Sequence, residues 1–169
     1  MAPPPVTIDL EAAAAERERL RARYLRAPAA RPPSIARGVH HVALLCSDVE
    51  RTIRFYQELL GFPLAELFEN RDYKGSTHLF FDIGHDNTLA FFDFPDLGLG
   101  AYKEVLGGFH HLAISVDRAQ WEAARARLEE AGVPTQVESE ISLYFSDPDG
   151  VRLELIAEDL GSLYGTPLH

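Results

Sequence analysis

Apolar and polar positions alternate along this chain in eight short runs, and the runs fall into two sets of four. The first set is Val39–Cys46, Leu64–Asn70, Thr77–Ile83 and Thr88–Phe94; the second is Phe109–Val116, Thr135–Glu138, Ile141–Ser146 and Val151–Ile156. A period of two over four to eight residues predicts a strand with one buried face. Between the first and second run of each set the period lengthens to that of a helix. Val49, Ile53, Tyr56 and Leu60 carry one apolar stripe, and Ala124, Leu128 and Ala131 the other. Each helix is bracketed by start and stop residues. Ser47 and Glu50 have the spacing of a capping box, Asp117 is placed to cap the second helix with Gln120 to answer it, and Gly61-x-Pro63 and Gly132-x-Pro134 end the two helices. The chain therefore reads as two tandem βαβββ modules, 39–97 and 108–158, of the α+β class. Their curved strands pack as a pair into a mixed sheet around a cleft. Ahead of them, Leu10, Ala13, Ala14, Leu20, Tyr24 and Leu25 predict an amphipathic helix within residues 8–26, laid on the domain or on a partner subunit. A proline-rich linker, Ala27–Gly38, completes an N-terminal extension of residues 1–38 before a domain of residues 39–169.

The modules are near-copies where they begin. Gly38-Val-His-His-Val-Ala is followed about seventy residues later by Gly108-Phe-His-His-Leu-Ala. Strand alternation puts Val42, Leu44 and Cys46 on the helix-covered face and His41, Ala43 and Leu45 on the other. It likewise puts Leu112, Ile114 and Val116 opposite His111, Ala113 and Ser115, and Val151, Leu153 and Leu155 opposite Arg152, Glu154 and Ile156. His41, His111 and Glu154 thus share the cleft-facing class. A carboxylate between leucines must be solvated, paired or bound to a cation. Two imidazoles and one carboxylate form a divalent-metal donor set. The plainer alternative is a pair of strand-start histidines meeting only local hydrogen bonds; the duplication, the shared face and Glu154 favour the metal.

Composition narrows the partners. A net charge of −10 argues against a nucleic-acid surface. The chain contains no run of about 18 apolar residues, so no membrane span is expected. The first twenty residues lack the basic start and apolar stretch of a secretory signal, and the single cysteine, Cys46, has no internal partner, so a cytoplasmic setting is expected.

The stretches HHVALLCSDVERTIRFYQELLGF, FHHLAISVD and YFSDPDGVRLELIAE resemble the vicinal oxygen chelate superfamily, which includes glyoxalase I, extradiol ring-cleaving dioxygenases, fosfomycin-resistance enzymes and bleomycin-binding proteins. The resemblance spans Val39 to Glu158. It implies one divalent metal ion on His41, His111 and Glu154: Fe(II) first, with Zn, Ni, Co, Mn or Cu as alternatives. It also implies a homodimer. Glyoxalase-like members add a fourth ligand, often Glu, from the last strand of the first module. Matching Thr77-His78-Leu79-Phe80-Phe81 to Ile141-Ser142-Leu143-Tyr144-Phe145, with one extra residue in the turn, places Phe91 there, and phenylalanine binds no metal. A three-ligand set leaves room for two substrate oxygens and O₂, so the resemblance points to an Fe(II) extradiol-type dioxygenase on a catechol-like or small aromatic substrate. The alternatives are a glyoxalase, isomerase or lyase on a small oxygenated substrate, and a non-catalytic drug- or metabolite-binding protein. Tyr144, ten residues before Glu154, matches the tyrosine that donates a hydrogen bond near substrate in ring-cleaving members. His78 shares the cleft-facing parity and is the candidate proton shuttle. Phe80, Phe91 and Asn87 are the candidate substrate contacts. One departure stands out. The histidine that precedes a T-L-A-F run in ring-cleaving members is replaced here by Asp86-Asn87 before Thr88-Leu89-Ala90-Phe91, with His85 out of register. Gly98-Leu99-Gly100-Ala101-Tyr102, between the modules, is either a plain linker or a segment able to move over the cleft.

Overall fold

A computed structural model describes residues 8–163 and 165–167; positions 1–7, 164, 168 and 169, which belong to the two expected segments, lie outside that description. The chain divides into a unit reaching Ala36 and a unit of Arg37–Pro167. In the first, α1 (Leu10–Tyr24) is capped by the Asp9 carboxylate, which accepts from Ala12 N at 3.0 Å. No residue of α1 is buried, and Leu10 and Tyr24 are 77% and 64% exposed. Arg17 and Arg21 interrupt the expected stripe, and the helix is laced instead by Glu16–Arg19 and Glu18–Arg21 pairs.

In the second unit the two βαβββ modules appear as expected. The first runs β1 (His41–Cys46), α2 (Val49–Ile53), β2 (Leu64–Glu69), β3 (Thr77–Asp82) and β4 (Thr88–Asp93). The second runs β5 (Leu112–Ser115), α3 (Arg118–Glu130), β6 (Gln136–Glu138), β7 (Ser142–Ser146) and β8 (Arg152–Ile156). Each module forms its own four-stranded mixed sheet, ordered β1-β4-β3-β2 and β5-β8-β7-β6. In each, the first strand runs parallel to the last and the others are antiparallel. A short hairpin, β9 (Ser162–Leu163) with β10 (Thr166–Pro167), follows.

The first helix starts one residue later than the capping box suggests. The Asp48 carboxylate, not the Ser47 hydroxyl, accepts from Arg51 N, at 2.9 Å. Ser47 is engaged elsewhere: its N–H donates to the Asp149 carboxylate of the other module at 3.0 Å. Beyond Ile53 the helix widens into a π-turn over Arg54–Leu59, closed by Leu60 N to Phe55 O at 3.0 Å. The extra residue lets Phe55 and Tyr56 both turn inward, at 8% and 0% exposure. Gly61 and Gly132 end the two helices with φ of 82° and 71°, a region costly for other residues. Asp117 caps α3 as expected, accepting from Gln120 N at 2.8 Å.

One buried cluster serves both modules. Tyr56, Phe81 and Phe91 pack in it with Leu128, Phe145 and Leu155. Burial of each large side chain contributes about 1.5–3 kcal/mol. Polar contacts cross the modules as well: Tyr56 Oη donates to Asp147 at 3.0 Å, Arg51 meets Asp149 at 2.9 Å beside Ser47, and Arg127 Nε of α3 donates to Leu59 O at 2.7 Å. With the helix-covered faces merged in this core, the opposite faces remain open. Leu45 and Phe68 of the first sheet are 47% and 44% exposed, and Phe109 of the second module is 40% exposed.

Candidate metal half-sites

The second module assembles most of the polar site. Glu154 sits mid-strand on β8, flanked on the ladder by Ala113 and Tyr144, and is only 4% exposed. His111, just ahead of β5, brings Nε2 to 3.0 Å from Glu154 Oε2. The other nitrogen of His111, Nδ1, lies 2.7 Å from Nδ1 of His110; in the first module His41 meets His40 in the same way, at 2.8 Å. One nitrogen of each facing pair must carry the proton. When it is the second histidine's Nδ1, that ring turns an unprotonated Nε2 outward, as a metal ligand must. The first histidines, to which strand parity assigns no chemistry, are therefore the groups that set ring orientation. Their adjacency in the sequence is the one signal that could have shown it.

The donor chemistry fits a divalent cation. Cis donors on an octahedral ion with bonds of about 2.1 Å lie roughly 3 Å apart, which is the spacing of His111 Nε2 and Glu154 Oε2. The same spacing makes an N–H···O hydrogen bond when Nε2 is protonated. Tyr144 stands with its ring edge-on to His111 at 5.5 Å, and the Arg152 guanidinium lies over the Tyr144 ring at 4.6 Å. Burial first, then a hydrogen bond to Glu154 and the charge of that carboxylate, holds the Tyr144 phenol above its usual pKa.

The first module presents rings at the equivalent positions. Its ladder pairs Ala43 with Ala90 where the second pairs Ala113 with Glu154, and Phe80 with Ala90 where the second pairs Tyr144 with Glu154. The position symmetric to Glu154 is thus Ala90, and Phe91 is displaced from it. Five residues separate β3 from β4, and five separate β7 from β8, so the turn holds no extra residue. The consequence for the metal is unchanged, since alanine offers no donor. Phe91 itself, expected at the substrate, is 0% exposed on the helix-covered face between Tyr56 and Phe81. Asn87, also expected at the substrate, spends its amide on the β3–β4 turn, donating to His85 O at 2.8 Å and Gly84 O at 3.3 Å. That turn holds His85 and Asp86 at φ of 51° and 58°, which explains why it needs a side-chain clamp.

Phe80 does lie on the open face. It stands 6.2 Å from His41 and 4.3 Å from His78. His78 stacks on Phe92 at 3.8 Å and meets Phe68 at 5.3 Å. His41, His78 and Phe80 are therefore brought together on one sheet, and His111, Glu154 and Tyr144 on the other. Among the described residues, no three His, Cys, Asp or Glu side chains of one chain gather closely enough to hold an ion, so His41 does not join the other two within the chain. The segment from Gly98 to Tyr102 lines a cavity of about 660 Å³ with Leu45, Phe94 and Asp149, and none of the three metal candidates lines it. No described helix is long and apolar enough to cross a membrane.

Known proteins resemble this chain over most of its length. A lactoylglutathione lyase of Salmonella typhimurium is 34% identical over 129 residues, covering 72% of this chain and 93% of that protein. MhqA of Bacillus subtilis, provisionally named a ring-cleaving dioxygenase, is 28% identical over 143 residues, covering 78% of this chain and 43% of that protein. A solved glyoxylase/bleomycin resistance protein/dioxygenase domain from Frankia sp. EAN1pec superposes with a TM-score of 0.62 at 23% identity, over 75% of this chain and 100% of that one, which speaks to the fold. The family model for the Glyoxalase/Bleomycin resistance protein/Dioxygenase superfamily matches residues 38–155, and the chain belongs to that superfamily.

Proposed function

We propose that the chain is a metal-dependent enzyme of the extradiol-dioxygenase type, acting on a catechol-like or small aromatic substrate. The observation that carries this is Ala90 at the position symmetric to Glu154, beside the aromatic side chains of Phe68, Phe80 and Phe92. The metal set is His41, His111 and Glu154, and two copies of the chain complete it: His41 of one subunit joins His111 and Glu154 of the other. Three features support that assembly. The donors do not gather within one chain. β1 and β5 are each hydrogen-bonded on one side alone in their sheets. The open faces keep Leu45, Phe68 and Phe109 exposed, an apolar area that a second copy would cover.

A bound divalent cation, Fe(II) in this reading, would supply Lewis acidity to vicinal substrate oxygens and electrons for O₂. The chain's own residues do the rest. The apolar wall of the first module stacks the ring and excludes water. Tyr144, kept protonated by burial and by Glu154, turns its one O–H from Glu154 to a substrate oxygen. His78 provides the second group able to exchange a proton, at Nε2. The 34% identity to a lactoylglutathione lyase favours one other reading, a lyase or isomerase on a small oxygenated substrate. The deciding experiment loads anaerobically purified protein with Fe(II), Zn(II), Ni(II), Co(II) or Mn(II) in turn and follows O₂ consumption with catechol and methylcatechols. Uptake that requires both Fe(II) and catechol is expected. Tight metal binding with no uptake from any of them rejects the dioxygenase in favour of the lyase or isomerase.

A further inference from the structure

Among the described residues, Nε2 of His78 is the buried side-chain nitrogen left without a hydrogen-bond partner. A buried polar atom is rarely left so, because losing water without gaining a partner is unfavourable. The cause here is the neighbourhood. On the ladder His78 faces Phe68 of β2 and Phe92 of β4, and Phe80 lies two residues along its own strand. All three side chains are hydrocarbon rings, within 3.8–5.3 Å of the imidazole centroid. The symmetric position in the second module is Ser142, so symmetry does not explain an imidazole at this point.

We propose that His78 determines specificity: Nε2 hydrogen-bonds a polar substituent on the aromatic substrate, and the enzyme thereby selects hydroxylated rings over their alkylated counterparts. This rests on the aromatic-substrate reading above and deepens it. The site already has the two components such recognition needs, flat apolar walls for the ring and one unsatisfied polar atom between them. The wall also opens easily. Phe68, on the edge strand β2, is 44% exposed, and an exposed ring of this kind changes rotamer quickly. Phe68 meets His78 edge-on, at 74° between the rings, while Phe92 stacks on its other side; a substrate ring replacing Phe68 exchanges that edge contact for its own and supplies the missing hydrogen bond. The two nitrogens of the neutral imidazole differ in role, and a hydroxyl serves either tautomer because it both donates and accepts.

The test uses isosteric pairs that differ only in hydroxyl against methyl: pyrogallol with 3-methylcatechol, and 1,2,4-benzenetriol with 4-methylcatechol. Affinities are measured anaerobically by calorimetry on metal-loaded wild type, His78→Phe and His78→Gln, after circular dichroism and metal content confirm that each variant is folded and loaded. Should His78→Phe fail to fold, His78→Leu takes its place. The expected result is a wild-type preference of about ten- to a hundredfold for the hydroxyl member of at least one pair. His78→Phe abolishes that preference, and His78→Gln, whose amide reaches a similar point, restores part of it. A preference unchanged in His78→Phe, or equal affinities within both pairs for wild type, overturns the role of His78 and leaves the aromatic-substrate reading intact. A wild type that binds none of the four compounds overturns both.

Discussion

Cys46 shows how far the core reaches into single-residue chemistry. Its thiol is buried at the end of β1, and burial pushes its pKa from about 9 up to about 11, with the charges of Asp93, Asp149 and Asp147 adding to the rise and a hydrogen bond with Thr52 opposing it. The folded protein therefore holds the thiol proton more tightly than the unfolded chain. Between roughly pH 9 and 11 the native state binds more protons than the unfolded state, so stability falls as pH rises through that window. A rise from about 9 to about 11 corresponds to at most about 3 kcal/mol, lost in full at the upper end. Denaturation of Cys46→Ala across pH 7–11 is expected to give a shallower alkaline decline than wild type. Parallel curves would show that the thiol does not carry it. The same burial keeps the thiol protonated near neutral pH, which makes it a poor nucleophile there.

At the scale of the elements, local chemistry decides where each helix begins. Asp48 and Asp117 occupy the same place in the two modules, and each carboxylate accepts from the N–H three residues on. Asp48→Ala is expected to cost about 1 kcal/mol by urea denaturation with the strands intact. Ser47→Ala leaves the cap in place and removes instead the hydroxyl contact to Asp149 between the modules. A larger effect of Ser47→Ala on the α2 amide exchange rates than of Asp48→Ala would reverse this assignment. The strands were legible because alternation is enforced by burial: every one of the eight falls within three residues of its expected limits. Register was less so. An error of one residue in the β3–β4 turn puts Phe91 on the wrong face, since side chains reverse with each step along a strand. Asn87 is illegible for a related reason, because nothing in a run of turn residues announces which amide will clamp the turn.

For the whole molecule, the legible and illegible parts of the site divide along the boundary between modules. Parity identified His41, His111 and Glu154 as sharing a type of face, and that holds for each strand taken alone. Parity says nothing about whether two open faces meet in the same chain. The helix-covered faces have merged into one core, which leaves the open faces turned to solvent and the donors separated. If two copies complete each other's sites, the variants His41→Ala and Glu154→Ala each lose tight metal binding as pure species, because both sites of each dimer are damaged. Mixing them under conditions that exchange subunits creates a heterodimer in which one site takes His41 from the Glu154→Ala chain and His111 and Glu154 from the His41→Ala chain. That site is intact, and its companion carries both substitutions. With random exchange, half the dimers are mixed and about one quarter of all sites bind metal. Recovery near that fraction, measured by metal content after desalting, is the expected outcome. No recovery from a mixture in which mass spectrometry detects heterodimers would place all three ligands within one chain and require the modules to rearrange around the ion.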